Sequence, residues 1–252
     1  MIDIKKHINR QFSKACDTYE SDAFIQKKMA EHLMSMLCSK SYFKILEIGS
    51  GTGYLTSLIV NKLDYKSLCI NDLSLNMLEH CKNRFDNKVQ NYLLGDAETL
   101  KLKDCYSLII SNACFQWFSS LKNSLENFKN ALDKDGEILF STFIDGNFKE
   151  LKSTLGVSID YLDLSAIESV LKSLNLDYTI QTKSVKTHYK TVREMLKSFK
   201  NTGVSGLSNA TWTKSKLISF EKQYKDLYSD DSGVYLSWEL CFVRAKLKNQ
   251  HP

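Results

Sequence analysis

The sequence predicts an α/β fold, a doubly wound sheet of seven mostly parallel strands, with helical covers from its N-terminus and from an insertion. Three observations predict it. Apolar runs of strand length alternate with helix-period segments from about residue 27 to residue 145, the pattern of repeated βαβ units. The first strand runs into Gly49, Gly51 and Gly53, three of the chain's ten glycines placed on alternate positions. Acids stand at or beside successive strand ends, at Glu47, Asp72 and Asp96, on the edge where open α/β sheets bind ligands.

Each element follows from its pattern. "IQKKMAEHLMSML" carries apolar residues at helical spacing, and "FKILEIG" is a buried strand ending at Gly49. Helix "YLTSLIVNKL", strand "SLCIND", helix "SLNMLEHCKNRF", strands "VQNYLLGD" and "YSLIISNA", helix "LKNSLENFKNALD" and strand "GEILFSTF" follow. Beyond Phe143 the alternation loosens: helix "LSAIESVLKSL", strand "YTIQTKSVKTHY" and a final strand "GVYLSWELCFVRAKL" complete the sheet. Two amphipathic helices, "TVREMLKSFKNTG" and "WTKSKLISFEKQYKDLY", lie between the last two strands, so residues 191–232 read as a lid inserted into a single domain spanning 1–252. Residues 1–25, with Ile8, Phe12, Ala15 and Tyr19 at helical spacing, read as a second lid.

Composition narrows the function. With 43% apolar residues the chain can bury a sizeable core. No run approaches the roughly 18 apolar residues of a membrane span, and the first residues have no signal-like apolar core. Seven scattered cysteines without a CxxC pair argue against a disulfide framework and a zinc cluster, so reduced thiols, a cytoplasmic location and no metal are expected. A net charge of +5 is too small to imply nucleic-acid binding. Only Arg10, Arg84, Arg193 and Arg244 are available as guanidinium clamps.

A dinucleotide loop would carry G-x-G-x-x-G, but its third glycine is replaced here by Tyr54. Glu47 before the loop would repel a pyrophosphate and favour a cation. Asp72 sits near the offset at which an acid meets a ribose diol, and Asp96 follows the third strand. With "LEIGSGTG", "INDLS" and "GDAE" in order, the chain resembles the class I methyltransferases, a Rossmann-like superfamily whose cofactor is S-adenosylmethionine. That resemblance implies a cofactor site made of Gln26, Glu47, Gly49, Ser50, Gly51, Gly53, Asp72, Leu73, Met77, Asp96, Ala97, Glu98 and Asn112.

"INRQFSKACDTYESDAFIQ", "SNACFQWFSSL", "FSTFIDGNFKEL" and "LKSFKNTGV" further resemble the malonyl-acyl-carrier-protein O-methyltransferases of biotin synthesis. The resemblance implies methyl transfer from S-adenosylmethionine to the free carboxylate of malonyl on acyl-carrier protein, with malonyl-coenzyme A as an open alternative; a monomer with no nucleic acid or membrane partner is expected. A carboxylate is already ionised at neutral pH, so the reaction needs positioning and dehydration rather than a base. Tyr19, Gln116 and Trp117 are the expected catalytic residues, and Arg10, Arg193, Phe143, Lys197 and Lys200 the expected substrate contacts. Lys183, Lys186, Lys190, Arg193, Lys197 and Lys200 form a basic stretch suited to an acidic carrier protein, or simply a solvated face. Two alternatives stay open: a small-molecule C-methyltransferase of quinone type, and an S-adenosylmethionine-binding assembly factor or hydroxylase.

Overall fold

A computed structural model describes residues 4–15, 19–103, 105–156, 160–201 and 213–248. Residues 1–3 and 16–18 of the expected N-terminal lid, 202–212 of the expected insertion, and the side chains of Ile8, Ala15 and Lys200 lie outside the described residues.

The N-terminal segment forms α1 (Ile4–Ala15), a single turn α2 (Tyr19–Asp22) and α3 (Phe24–Ser35). There follow β1 (Ser41–Ile48), α4 (Tyr54–Lys62), β2 (Asp64–Asp72), α5 (Leu75–Phe85), β3 (Asn91–Leu94) and β4 (Tyr106–Asn112). A 3-10 turn (Phe115–Trp117), α6 (Leu121–Asn130), β5 (Leu132–Phe143), α7 (Lys149–Leu155) and α8 (Leu164–Ser173) come next. The chain ends in β6 (Leu176–Tyr189), α9 (Val192–Asn201), α10 (Lys214–Leu227), the two-residue β7 (Ser229–Asp230) and β8 (Gly233–Leu247). The strands join in the order β3-β2-β1-β4-β5-β8-β6, with β7 as a short eighth strand on β8.

β1 to β5 are parallel, whereas β8 runs antiparallel between β5 and β6. The hydrophobic pattern dictates this layout. β1, β2, β4 and β5 each carry an unbroken buried run of four or more residues, as strands covered on both faces must. β6 alternates half-buried and exposed residues along most of its length, as an edge strand with one wet face does. One apolar cluster packs Leu33, Ile59 and Leu108 with Trp238; a second packs Phe128, Phe140 and Ile167 with Val243.

Three elements had no signal strong enough to read from the sequence: α7, the 3-10 turn and β7. All are short, and the first two depend on tertiary ties. Phe148 starts α7 with φ of 58° while its N–H donates to the Ser237 carbonyl at 3.0 Å. Glu150, fully buried, accepts from the Ser237 N–H at 3.1 Å and from its hydroxyl at 2.5 Å.

Candidate active site

Between β1 and α4 the backbone takes positive φ at Gly49, Gly51 and Gly53. At Gly49 (φ +69°) an added Cβ would come within 2.5 Å of the Cys114 Sγ, and at Gly53 (φ +85°) within 2.6 Å of the Phe85 ring. Conformation and close approach thus both demand glycine at these two positions. Asp72, at the end of β2, holds the loop: one carboxylate oxygen accepts from the Gly51 N–H and the other from the Ser74 N–H, each at 2.8 Å. Burial lifts the Asp72 pKa above its ordinary value, against the pull of the Ser74, Gly51 and Leu73 N–H groups.

A recess opens above this loop, lined by Gly49, Gly51, Asp72, Leu73, Met77, Asp96, Ala97 and Asn112. Lys5, Phe12 and Tyr19 cover it from the N-terminal helices. A second recess shares Tyr19, Gly49, Gly51 and Asn112 and adds Gln26 and Ser50. Asn112 ties the two layers together, donating to the Gln26 carbonyl at 3.0 Å and accepting from the Ser141 hydroxyl at 2.7 Å.

Three of the expected cofactor residues, Gly53, Glu98 and Glu47, are not among the described lining of either recess. Gly53 is the left-handed residue that starts α4 and is not among the recess's described lining residues. Glu98 braces the chain after β4, accepting from the Ser119 N–H at 2.9 Å and the Ser120 N–H at 2.8 Å. Burial would raise its pKa, but the Lys5 ammonium and those two N–H groups hold it below the ordinary value. Glu47 is 1% exposed and sits beneath the loop, accepting from the Thr56 hydroxyl at 2.7 Å. Burial pushes it up to about 8, so near neutral pH it is mostly protonated rather than a standing negative charge. Its other oxygen, Oε1, is buried with no hydrogen-bond partner.

Sequence reading missed Lys5, which bridges Asp96 and Glu98. Asn9 donates to the Leu73 carbonyl at 3.2 Å, and the Ser13 and Ser74 hydroxyls lie 2.8 Å apart. These polar ties dock α1 on the recess.

A third, narrow cavity adjoins these two and is largely aromatic: Phe12, Tyr19, Trp117, Phe143, Phe148, Tyr161 and Trp238 line it with Ala113, Gln26 and Gln116. No charged side chain is among its described lining residues. The rings brace one another, with Phe148 and Trp238 centroids 4.6 Å apart and Phe12 and Trp117 5.9 Å apart. Gln116 donates to the Ala113 carbonyl at 2.6 Å and accepts from the Thr142 hydroxyl at 3.3 Å, holding the turn after β4. Tyr19 alone among the described residues lines all three cavities, and burial pushes its phenol pKa well up.

Of the expected charged substrate contacts, Arg10, Arg193 and Lys197 are not among the described lining of this cavity. Arg193 is exposed on α9, paired with Glu221 of α10 in a separate surface cleft. Arg10 and Lys197 are exposed on α1 and α9, and neither is among the described lining of the aromatic cavity. The basic stretch also divides: Lys183 and Lys186, three residues apart on β6, point to opposite faces of the strand, with Lys186 over the Tyr235 ring. Phe148 lies in the segment "FSTFIDGNFKEL" and was within reach of the sequence; Tyr161 and Trp238 carry no motif.

Among the described residues no group of three or more His, Cys, Asp or Glu is placed to hold a metal ion, and no helix is long and apolar enough to cross a membrane. A glycine loop pinned by the acid of the next strand, in a sheet with an antiparallel strand inserted beside β5, defines a class I S-adenosylmethionine-dependent methyltransferase. Residues 46–140 match the family model described as a methyltransferase domain. The chain is 33% identical to malonyl-[acyl-carrier protein] O-methyltransferase 2 of Ilyobacter polytropus, over 96% of this chain and 98% of that one. It is 31% identical to malonyl-[acyl-carrier protein] O-methyltransferase of Calditerrivibrio nitroreducens, over 94% and 95% of the two chains. The chain belongs to the malonyl-[acyl-carrier protein] O-methyltransferase family. Among solved structures, Haemonchus contortus phosphoethanolamine N-methyltransferase 2, in complex with S-adenosylhomocysteine, superposes with a TM-score of 0.64 at 18% identity, covering 98% of this chain and 61% of that one.

Proposed function

We propose that this chain transfers the methyl group of S-adenosylmethionine to the free carboxylate of malonyl carried on acyl-carrier protein, making the methyl ester used in biotin synthesis. One observation carries the reading: Tyr19 stands at the junction of an acid-edged recess and an aromatic cavity without a described charge.

The recess fits the cofactor. Asp72 and Asp96 edge it where a ribose and an adenine amino group need acceptors, and beneath the loop, outside the recess lining, the buried Glu47 Oε1 without a partner is an acceptor for an ammonium when the carboxyl is ionised. When bound, S-adenosylmethionine supplies a sulfonium methyl, the electrophile. The chain's own residues do the rest. Phe143, Phe148 and Trp238 exclude water from the carboxylate, and the Tyr19 hydroxyl aims it. The transfer joins an anion to a cation and leaves a neutral ester and a neutral thioether. An uncharged wall favours that loss of charge, whereas an arginine clamp would hold the ground state back. The absence of a guanidinium among the described lining residues therefore suits this chemistry.

The test is direct: purified protein, S-adenosylmethionine and malonyl-acyl-carrier protein, with mass spectrometry of the carrier. Mass gain of one methylene, removed by mild ester hydrolysis, is the expected result; cofactor binding with no methylated carrier would overturn the proposal.

A further inference from the structure

Gln26 sits in the first turn of α3 and is 7% exposed. Asn112 donates to its backbone carbonyl at 3.0 Å, but its side-chain amide makes no hydrogen bond to a described residue. Neither amide atom is among the described buried atoms that lack a partner, so the small exposure left to Gln26 includes them. The side chain lines the second recess and the aromatic cavity, and it is not among the described lining of the acid-edged recess. An amide buried to this degree and still unmatched is costly unless a ligand matches it.

Of the two amides on the aromatic cavity, Gln116 is committed: it donates to the Ala113 carbonyl at 2.6 Å and accepts from the Thr142 hydroxyl at 3.3 Å. Gln26 is not, and Tyr19 joins it. The backbone carries helical hydrogen bonds across the junction of α2 and α3, from the Ala23 N–H to the Tyr19 carbonyl at 3.0 Å and from the Lys27 N–H to the Ala23 carbonyl at 2.9 Å. Tyr19, Ala23 and Gln26 therefore follow the i, i+4, i+7 spacing of one helix face, and all three line the second recess. With only the methyl group of Ala23 between them, the phenol and the amide can reach one ligand group.

That group is an acceptor. An amide supplies two N–H donors and a phenol one O–H, whereas a carboxylate only accepts. No charged side chain is among the described lining of the aromatic cavity, so neutral donors are what it offers. The two oxygens of a carboxylate undergoing methylation have different fates. One gives an electron pair to the methyl carbon while the carbon–sulfur pair goes to sulfur, and no proton moves. The other becomes the ester carbonyl and stays an acceptor throughout. A donor fixed on α3 suits the second oxygen.

We propose that the Gln26 amide N–H binds the non-attacking oxygen of the acceptor carboxylate and so turns the other oxygen toward the methyl group. The proposal rests on the carboxyl methylation proposed above, and the competing role for Gln26 is the cofactor contact expected from the sequence. Two variants separate them. Gln26→Leu keeps most of the bulk and removes the donor; Gln26→Glu keeps the shape and puts an acid in its place. With malonyl-acyl-carrier protein, Gln26→Leu should lose kcat/KM by roughly ten- to a hundred-fold, the worth of a hydrogen bond to a charged group, while S-adenosylhomocysteine affinity by calorimetry stays within about two-fold.

Gln26→Glu should lose at least as much at neutral pH, where an ionised carboxylate repels that of the substrate. Its rate relative to wild type should recover as pH falls and the introduced carboxyl becomes an O–H donor. A Gln26→Leu rate near that of wild type overturns the inference, and so does a Gln26→Glu ratio to wild type that does not change with pH. A drop in S-adenosylhomocysteine affinity equal to the drop in kcat/KM in both variants assigns Gln26 to the cofactor and overturns it too. Wild-type protein that binds S-adenosylhomocysteine but methylates no carrier overturns the proposed function itself.

Discussion

The acid-edged recess and the aromatic cavity touch at Tyr19 yet are built by different means. The recess is made of strand ends and backbone: Gly49, Gly51, Asp72 and Asp96 come from consecutive βα units, and their N–H and carboxyl groups hold one another. The cavity is made largely of aromatic residues, drawn from Phe12 at one extreme and Trp238 at the other. One region manages charge with fixed dipoles; the other removes water with rings. Damage to the first should thus appear in cofactor affinity and damage to the second in turnover.

The largest effect expected is on the recess. Asp72→Ala removes the acceptor of two backbone N–H groups, each bond to a charged group being worth about 1.5–3 kcal/mol, so S-adenosylhomocysteine should bind at least about 100-fold more weakly by calorimetry. An unchanged affinity would break the division between the two regions. Next is Tyr19→Phe, at their junction. Losing the hydroxyl should cost kcat roughly ten-fold while S-adenosylhomocysteine affinity holds within about two-fold, because the ring remains. Equal losses in both would mean that Tyr19 serves the recess alone.

A smaller, pH-dependent effect sharpens the account of Glu47. Its pKa of about 8 lies above its ordinary value, so its ionised form, the one that attracts an ammonium, thins out as pH falls below 8. S-adenosylhomocysteine affinity should fall with it, by at most about ten-fold per pH unit, and Glu47→Gln should flatten that profile. Stability moves the other way. In the unfolded chain Glu47 ionises near 4.5 and in the folded one near 8, so its contribution in the ligand-free protein is lost as pH rises between those values. Thermal midpoints for the two proteins across that window check the sign. The smallest effect is at Lys5, whose bridge to Asp96 and Glu98 is partly exposed. Lys5→Met should speed S-adenosylhomocysteine release only a few-fold, within about 1 kcal/mol, in stopped-flow measurements.

Legibility in the sequence follows the same division. The alternation of strands and helices around the glycine loop, and the recess residues Gly49, Asp72 and Asp96, were readable because each is tied to a local rule: a glycine where φ is positive, an acid where a strand ends. Glu47 was placed correctly on its strand but misread as a charge, since burial is a property of the fold and not of the spacing. Arg193 was expected, with Arg10, as a substrate contact, and nothing in the sequence announced Glu221 as its partner. Tyr161, Phe148 and Trp238 meet only when α7 and β8 are packed, so no window of sequence contains their relation.

The placement of β8 has a consequence for how the molecule comes into being. Strands β1 to β4, which carry the recess, have all been synthesised by residue 112, whereas β8, which lies between β5 and β6, is translated only from Gly233 on. Since nascent chains acquire structure from the N-terminal side first, the half that grips the nucleoside can assemble on the ribosome while the half that handles the acyl arm awaits Trp238. The aromatic wall is then the last part of the enzyme to exist, and misreading or early termination near that tryptophan leaves a chain with a cofactor cradle and no reaction chamber.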